Sequence, residues 1–473
     1  MLSRRMRLFA FEFQGPAHLS AGLWRHEKDQ GHRYKDVRYW TEYARLLEQG
    51  RFDGVFFADN AGYHDVYQGS AAAALADGAQ LPANDPALVL SAMAAATEHL
   101  GFGLTGSTTY EHPYSLARKF STLDHLTDGR IGWNLVTSYA GSAARNIGNG
   151  LLTSHDERYD VAAEHLEVCY KLWEGSWDDD AVVRDRERCV YADPLRVHDI
   201  DHRGKYFTVP GFALCEPSPQ RTPVIFQAGG SSKGRALAAA HAEGVFVNAV
   251  SKKALRKQVD ALRLQAAQAG RDPRSVRVLQ MLNVVVAGTD EQAHAKYRQY
   301  RDLVSYSGAM ARYSGWTALD MSQFDPDVPL RHVKTEAGQT MVDLFSKMDP
   351  DREWTPRDIA EFIGIGGSGP TIVGSPRTVA KELISWVEDC DVDGFNLGNA
   401  VKYQDIADFV ELVVPELQRR EAVWTEYEGR TLREKLHGPG QVHLAEDHPG
   451  RRFARTHADA GRSAADRLEV STA

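Results

Sequence analysis

Cysteine is scarce: Cys169, Cys189, Cys215 and Cys390 stand far apart in 473 residues and form no C-x-x-C pair, so neither a disulfide framework nor a zinc site is indicated. They read as small buried hydrophobes in a reducing compartment. No apolar run approaches the ~18 residues that a membrane helix needs. The opening Met-Leu-Ser-Arg-Arg-Met-Arg-Leu runs into Phe9-Ala-Phe-Glu-Phe without the apolar stretch and cleavage site of a secretory signal. A soluble, cytoplasmic chain is expected, with no membrane partner. Positive charge is short as well: 55 Lys and Arg against 64 Asp and Glu leave a net charge of −9, which argues against a nucleic-acid surface. The P-loop and H-E-x-x-H patterns are missing. His198 and His202 lie in a charged excursion, so no metal is expected. Gly101, Gly103 and Gly106 match G-x-G-x-x-G but fall inside a strand, where the dinucleotide fingerprint fails its structural test.

What is present is the composition of a globular protein, 43% hydrophobic and 10% aromatic. Residues 99–159 form the clearest unit: Gly101–Thr109 reads as a buried strand, Ser115–Leu126 as an amphipathic helix and Arg130–Val136 as another strand. Further strands near residues 7, 53, 223, 245, 278 and 393 alternate with helical patterns. Eight such units predict an α/β fold, a closed (β/α)8 TIM barrel, because an open sheet of that size leaves two edges unpaired. The barrel is expected as one domain over residues 1–430, with insertions at about 176–222 and 307–370. The first carries a short hairpin at Gly204–Pro210. The second partly covers the site and has a helical piece near Met341–Ser346. Residues 431–473, polar and weakly periodic, are expected as an arm or a disordered tail.

Both central strands end in neutral polar residues: Ser107, Thr108 and Thr109, then Asn134, Thr137 and Ser138. Strand carboxyl ends build the sites of such barrels. Hydroxyls and an amide there suit a polar ring edge such as a flavin, or simply cap the helices that follow. Gly229-Gly-Ser-Ser-Lys-Gly-Arg offers a phosphate turn to which Lys233 and Arg235 could add charge-assisted bonds, or an ordinary capped turn.

Several segments carry a resemblance: Phe52–Asp59, Ser107–Tyr114, Ser121–Ser138, His155-Asp-Glu-Arg-Tyr159 and Gln227-Ala-Gly-Gly-Ser231. With these, over about residues 7–445, the chain resembles the bacterial-luciferase-like flavin monooxygenases. Within them it is similar to the branch of the nitrilotriacetate, dibenzothiophene-sulfone and long-chain alkane enzymes, above all the last. The resemblance implies a two-component enzyme. A separate NAD(P)H:flavin reductase supplies reduced FMN, which reacts with O2 to a C4a-(hydro)peroxyflavin that oxygenates a small organic substrate. It places Asp59, Thr105 and Asn134 around the isoalloxazine and ribityl chain, and His155, Tyr159, Gly230 and Ser231 at the ribityl end and phosphate. His18, His64 and Gln80 become the catalytic candidates on the peroxide and substrate side. A homodimer or tetramer follows by analogy. A non-catalytic flavin-binding barrel and a deazaflavin-dependent oxidoreductase are the alternatives. The chain departs from the alkane-type pattern at Gly15 (cysteine there), His64 (tyrosine), Tyr139 (histidine) and Arg312 (histidine). Arg312 would be costly in an all-apolar pocket, so it either faces solvent or meets an acidic or polar substrate.

Overall fold

The computed structural model describes residues 5–147, 150, 153–330, 339–346 and 352–455. Its core is a closed ring of parallel strands: β1 (Arg7–Phe13), β2 (Gly54–Ala58), β3 (Gly101–Ser107), β4 (Ile131–Val136), β5 (Val224–Gln227), β6 (Gly244–Val247), β7 (Arg277–Val286) and β8 (Gly394–Gly398). Each pairs with the next, and β8 returns to β1 with Arg7–Ala10 beside Gly394–Leu397. This is the (β/α)8 barrel that the alternation predicts, with a strand at each expected place. The carboxyl half of β7 diverges from β8 and takes on a ninth strand, Thr371–Gly374, which the sequence reading did not mark.

Side chains alternate across the wall. Leu8, Ala10, Val55, Phe57, Phe102, Leu104, Ile131 and Trp133 point outward into the helical layer. Phe9, Phe56, Val224, Phe226, Phe246 and Leu279 fill the interior towards the strand starts. Phe56 stacks between Phe11 and Phe246, with ring centroids 5.1 and 4.2 Å away. A helix from the far end of the chain, Leu432–His437, closes this floor with Leu432 and Leu436, both fully buried. The fit is tight: a Cβ at Gly101 would stand 2.6 Å from Leu432 Cδ1. Arg433 on the same helix is sealed in, its Nε donating to Glu243 Oε1 (2.6 Å), its Nη2 to Glu243 Oε2 (3.1 Å) and Thr222 O (2.8 Å), and its Nη1 to Val442 O (2.7 Å). The stretch expected as an arm or disordered tail thus begins as part of the barrel floor. It continues to a turn at Pro449–Phe453, where Phe453 stacks on Tyr170 at 6.3 Å. Residues 456–473 of that stretch lie outside the described residues.

The 176–222 excursion holds two short hairpins, one pairing His202–Arg203 with Thr208–Val209 around the predicted turn. His198 and His202 bond to Asp178 (3.0 Å) and Glu164 (3.3 Å), so both are tied to carboxylates of the scaffold. Among the described residues no group of His, Cys, Asp and Glu is arranged for a metal, and no helix is long and apolar enough to cross a membrane. The 307–370 insertion is helical at Tyr306–Thr317, Gln339–Ser346 and Pro356–Ile363. Its first helix escapes sequence detection because every residue from Gly308 to Ser314 is buried, which leaves no polar stripe.

Candidate active site

The strand-end hydroxyls are satisfied locally, mostly by backbone carbonyls. Ser107 and Ser138 share a 2.8 Å bond, Thr109 donates to Thr137 O (2.7 Å) and Thr105 donates to Phe57 O (2.8 Å). Asn134 Nδ2 donates to Thr105 Oγ1 at 3.0 Å, while Asn134 Oδ1 is buried without a partner. Beside them, at the end of β2, Asp59 is open to solvent at the mouth. Desolvation by the surrounding walls, and then the charge of Asp85, raise its carboxyl to about 6.

Across the mouth, β5 runs into the glycine turn. Ser231 Oγ accepts from Gly234 N (3.1 Å), capping the helix Ser232–His241, and lies 3.5 Å from Tyr159 Oη. Tyr159 comes from the helix His155–Gly175 and presses on the turn: a Cβ at Gly229 would stand 3.0 Å from its hydroxyl. His155 lies 5.1 Å away, ring to ring, with Nδ1 3.0 Å from Asp156 Oδ1. Lys233 and Arg235 do not reach over the turn as expected. The acidic start of the 155–175 helix draws Lys233 onto Asp160 (3.2 Å), and Arg235 folds back onto the Gly230 carbonyl.

A third group lines the side under the insertion. His18 is buried between Phe11 and Phe13, with centroids 4.4 and 5.6 Å away, and its Nδ1 has no partner. Burial first, then the charges of Lys402 and Arg312, hold it well below the ordinary histidine pKa. His64 bonds through Nε2 to Gln80 Oε1 at 2.8 Å. Burial, aided by Arg312 and opposed by that bond, lowers its pKa to about 4, so it is neutral at pH 7. Its ring rests on the Tyr306–Thr317 helix, where a Cβ at Gly315 would fall 1.9 Å from Nδ1. The structure therefore joins His64 to Gln80, joins Thr105 to Asn134, joins Tyr159 to Ser231, and sets His18 apart on β1's side.

Arg312 does not face solvent. It is fully buried, 4.9 Å beneath the Trp316 ring, and its Nη2 donates to Ile363 O. Tyr139 adjoins the pair through a hydrogen bond with Trp316. At Gly15 a Cβ would stand 2.7 Å from Pro82 O, so the cysteine of the alkane-type pattern has no room here. Sequence reasoning missed the Lys402–Glu12 pair just below. Lys402 Nζ lies 2.9 Å from Glu12 Oε2 and donates to Phe13 O (2.7 Å), and Asn399 Nδ2 donates to Glu12 Oε1 (2.7 Å). The one available signal was Glu12 itself, a carboxylate inside an otherwise apolar strand. An open cleft of about 530 Å³ lined by Arg298, Arg301, Tyr306 and Arg357 lies outside the strand-end mouth. Arg301 and Arg357 there already pair with Glu361 and Asp327.

A parallel eight-stranded barrel with its polar groups gathered at the strand carboxyl ends is the architecture of a barrel enzyme. The chain belongs to the luciferase-like monooxygenase family, whose model matches residues 8–392, and it is an oxygenase of that family. It is 46% identical over 470 residues to dimethyl-sulfide monooxygenase of Hyphomicrobium sulfonivorans, covering 99% of this chain and 98% of that one. It is 45% identical over 452 residues to long-chain alkane monooxygenase of Geobacillus thermodenitrificans (strain NG80-2), covering 96% and 98%. The solved structure of a riboflavin lyase with modified FMN and riboflavin is 38% identical and superposes with a TM-score of 0.89 over 96% of this chain and all of the other. These likenesses support a flavin site.

Proposed function

We propose that this chain is the oxygenase component of a two-component system, working in the cytoplasm as a homodimer or tetramer. It receives reduced FMN from a separate NAD(P)H:flavin reductase and uses O2 to oxygenate a small organic substrate. The observation that carries this reading is the buried, unpartnered Asn134 Oδ1 facing the same mouth as the Tyr159–Ser231 turn. A buried acceptor left unpaired costs about 1–3 kcal/mol, and an N–H of a flavin ring relieves that cost. The turn presents hydroxyls and backbone N–H groups at a helix N-terminus, where a phosphate is favoured. Reduced FMN, when bound, supplies the electrons that activate O2.

The chain's own residues bind, orient and exclude water. Asp59, Thr105 and Asn134 would hold the ring and ribityl chain. His155, Tyr159, Gly230 and Ser231 would hold the ribityl end and phosphate. His18 and His64 are neutral imidazoles in dry surroundings, able to keep or pass a proton at Nδ1 of the first and Nε2 of the second, with Gln80 fixing the His64 ring. Anaerobic titration with reduced FMN is expected to saturate, and mixing the complex with O2 to release H2O2 more slowly than free reduced FMN does. A titration that never saturates, or oxidation as fast as that of free flavin, would overturn the reading.

A further inference from the structure

Among the described residues two arginines, Arg312 and Arg433, are fully buried, and Lys402 is nearly so. Lys402 has Glu12, and Arg433 has Glu243. Arg312, equally buried, has none: among the described residues no Asp or Glu pairs with it. A guanidinium offers five N–H donors. Here one contact, Nη2 to Ile363 O, is made, while Nε and Nη1 are buried and unpartnered. The groups around it are His18, His64, Tyr139 and Trp316, all uncharged at pH 7. An isolated buried charge costs several kcal/mol, and here the Ile363 carbonyl and the Trp316 ring offset that cost while two donors stay unused.

We propose that Arg312 anchors an anionic substrate: a small organic molecule carrying one carboxylate- or sulfonate-type group. Its oxygens would take the bare Nε or Nη1 donor together with the second hydrogen of Nη2, on the edge that the Ile363 carbonyl leaves free, and its body would lie against Trp316 and Tyr139. A planar carboxylate, or two oxygens of a tetrahedral sulfonate, match the guanidinium fork, and such charge-assisted bonds are roughly twice as strong as neutral ones. The Ile363 carbonyl fixes the fork from behind, and the stacked Trp316 holds its plane. The flavin phosphate is not the anion meant, because the turn after β5 lies on the other side of the mouth. That His64 and Gln80 adjoin this site extends the proposal to the substrate of the oxygenase reading, on which that part rests; the anion site itself stands on Arg312.

The test uses the full chain with FMN present and calorimetric titration with matched probes: benzoate against benzamide, hexanoate against hexanamide, and methanesulfonate against dimethyl sulfone. At least one acid is expected to bind about tenfold tighter than its neutral partner, a difference of ~1.4 kcal/mol. Arg312→Met should abolish that preference and Arg312→Lys should keep part of it. Equal binding of acid and neutral partner in the wild-type chain, no binding by any acid at its solubility limit, or a preference that survives Arg312→Met would overturn the proposal. The wild-type comparison decides the matter even where a variant fails to fold. Reduced-FMN binding on the same samples separates the two readings. Acid preference without flavin binding removes the oxygenase reading and leaves the anion site, and flavin binding without acid preference does the reverse.

Discussion

The floor and the mouth of the barrel each bury an arginine completely, and the two are treated in opposite ways. Arg433 at the floor uses all three nitrogens, two of them on Glu243. Its carboxylate partner is held down to about 2: burial pushes the Glu243 pKa up, but the Arg433 charge and hydrogen bonds outweigh it. Arg312 at the mouth leaves two nitrogens bare, and burial lowers its pKa to about 9 with only Tyr139 opposing. Hydrogen bonds of Asn134, His18 and Gln14 are likewise left open at the mouth. A region built for stability closes its polar groups against one another, whereas a region built to receive something keeps donors and acceptors in reserve.

The largest expected effect tests the floor. Arg433→Met strands the Glu243 carboxylate, and urea unfolding at pH 7 should show a loss of about 3–5 kcal/mol; Arg433→Met with Glu243→Gln should recover most of it. Because the folded pKa of Glu243 is depressed, the stability it contributes is present above its ordinary ~4.3 and is lost as pH falls towards 2. A mild single variant would make the floor no different from the mouth.

Next comes the flavin end. If these hydroxyls hold the phosphate as proposed, Tyr159→Phe and Ser231→Ala each remove a bond worth about 1.5–3 kcal/mol, so FMN should bind tenfold or more weakly while riboflavin barely changes. Equal weakening of both would show that these hydroxyls serve the ring or the fold instead.

A smaller effect concerns pH. The folded pKa of His64 is about 4, below its ordinary 6.5, so between those values the unfolded chain binds the extra proton. Stability should therefore fall as pH drops from 6.5 towards 4, with His64 accounting for about 2 kcal/mol by pH 5. His64→Asn should flatten the wild-type curve in that window. An unchanged slope would mean that His64 protonates as readily in the folded chain.

The smallest effect is the sharpest contrast. Arg312→Met removes an unpaired charge, so without ligand its stability should stay within about 1 kcal/mol of wild type. A loss as large as that of Arg433→Met would erase the distinction between the two ends.

Much of this was legible from periodicity. All eight barrel strands announce themselves as short apolar runs between helical patterns, because both faces of a parallel strand are buried. The strand-end hydroxyls and the Gly-Gly-Ser turn were equally visible. The floor helix was not: Leu432 and Leu436 are two apolar residues among Arg433, Glu434 and Lys435, and buried charges look like surface until their partners are known. Glu243 lies 190 residues away from Arg433. The same distance effect hid the Lys402–Glu12 pair. For Lys233 and Arg235 the local pattern suggested phosphate ligands, while neighbours from a different helix and the turn's own carbonyl claimed them.

The helix Leu432–His437 also sets an order of events on the ribosome. Domains form from the N-terminus as they are made, yet β1 gains its second neighbour only with residues 394–398, and the ring of phenylalanines below it is covered only with residues 432–437. A nascent chain of this protein carries an unclosed, greasy sheet through most of its synthesis and an open-bottomed tube from residue 398 to residue 432. Translation that stops just short of Leu432 would deliver every strand of the barrel and still present chaperones and proteases with an uncorked vessel.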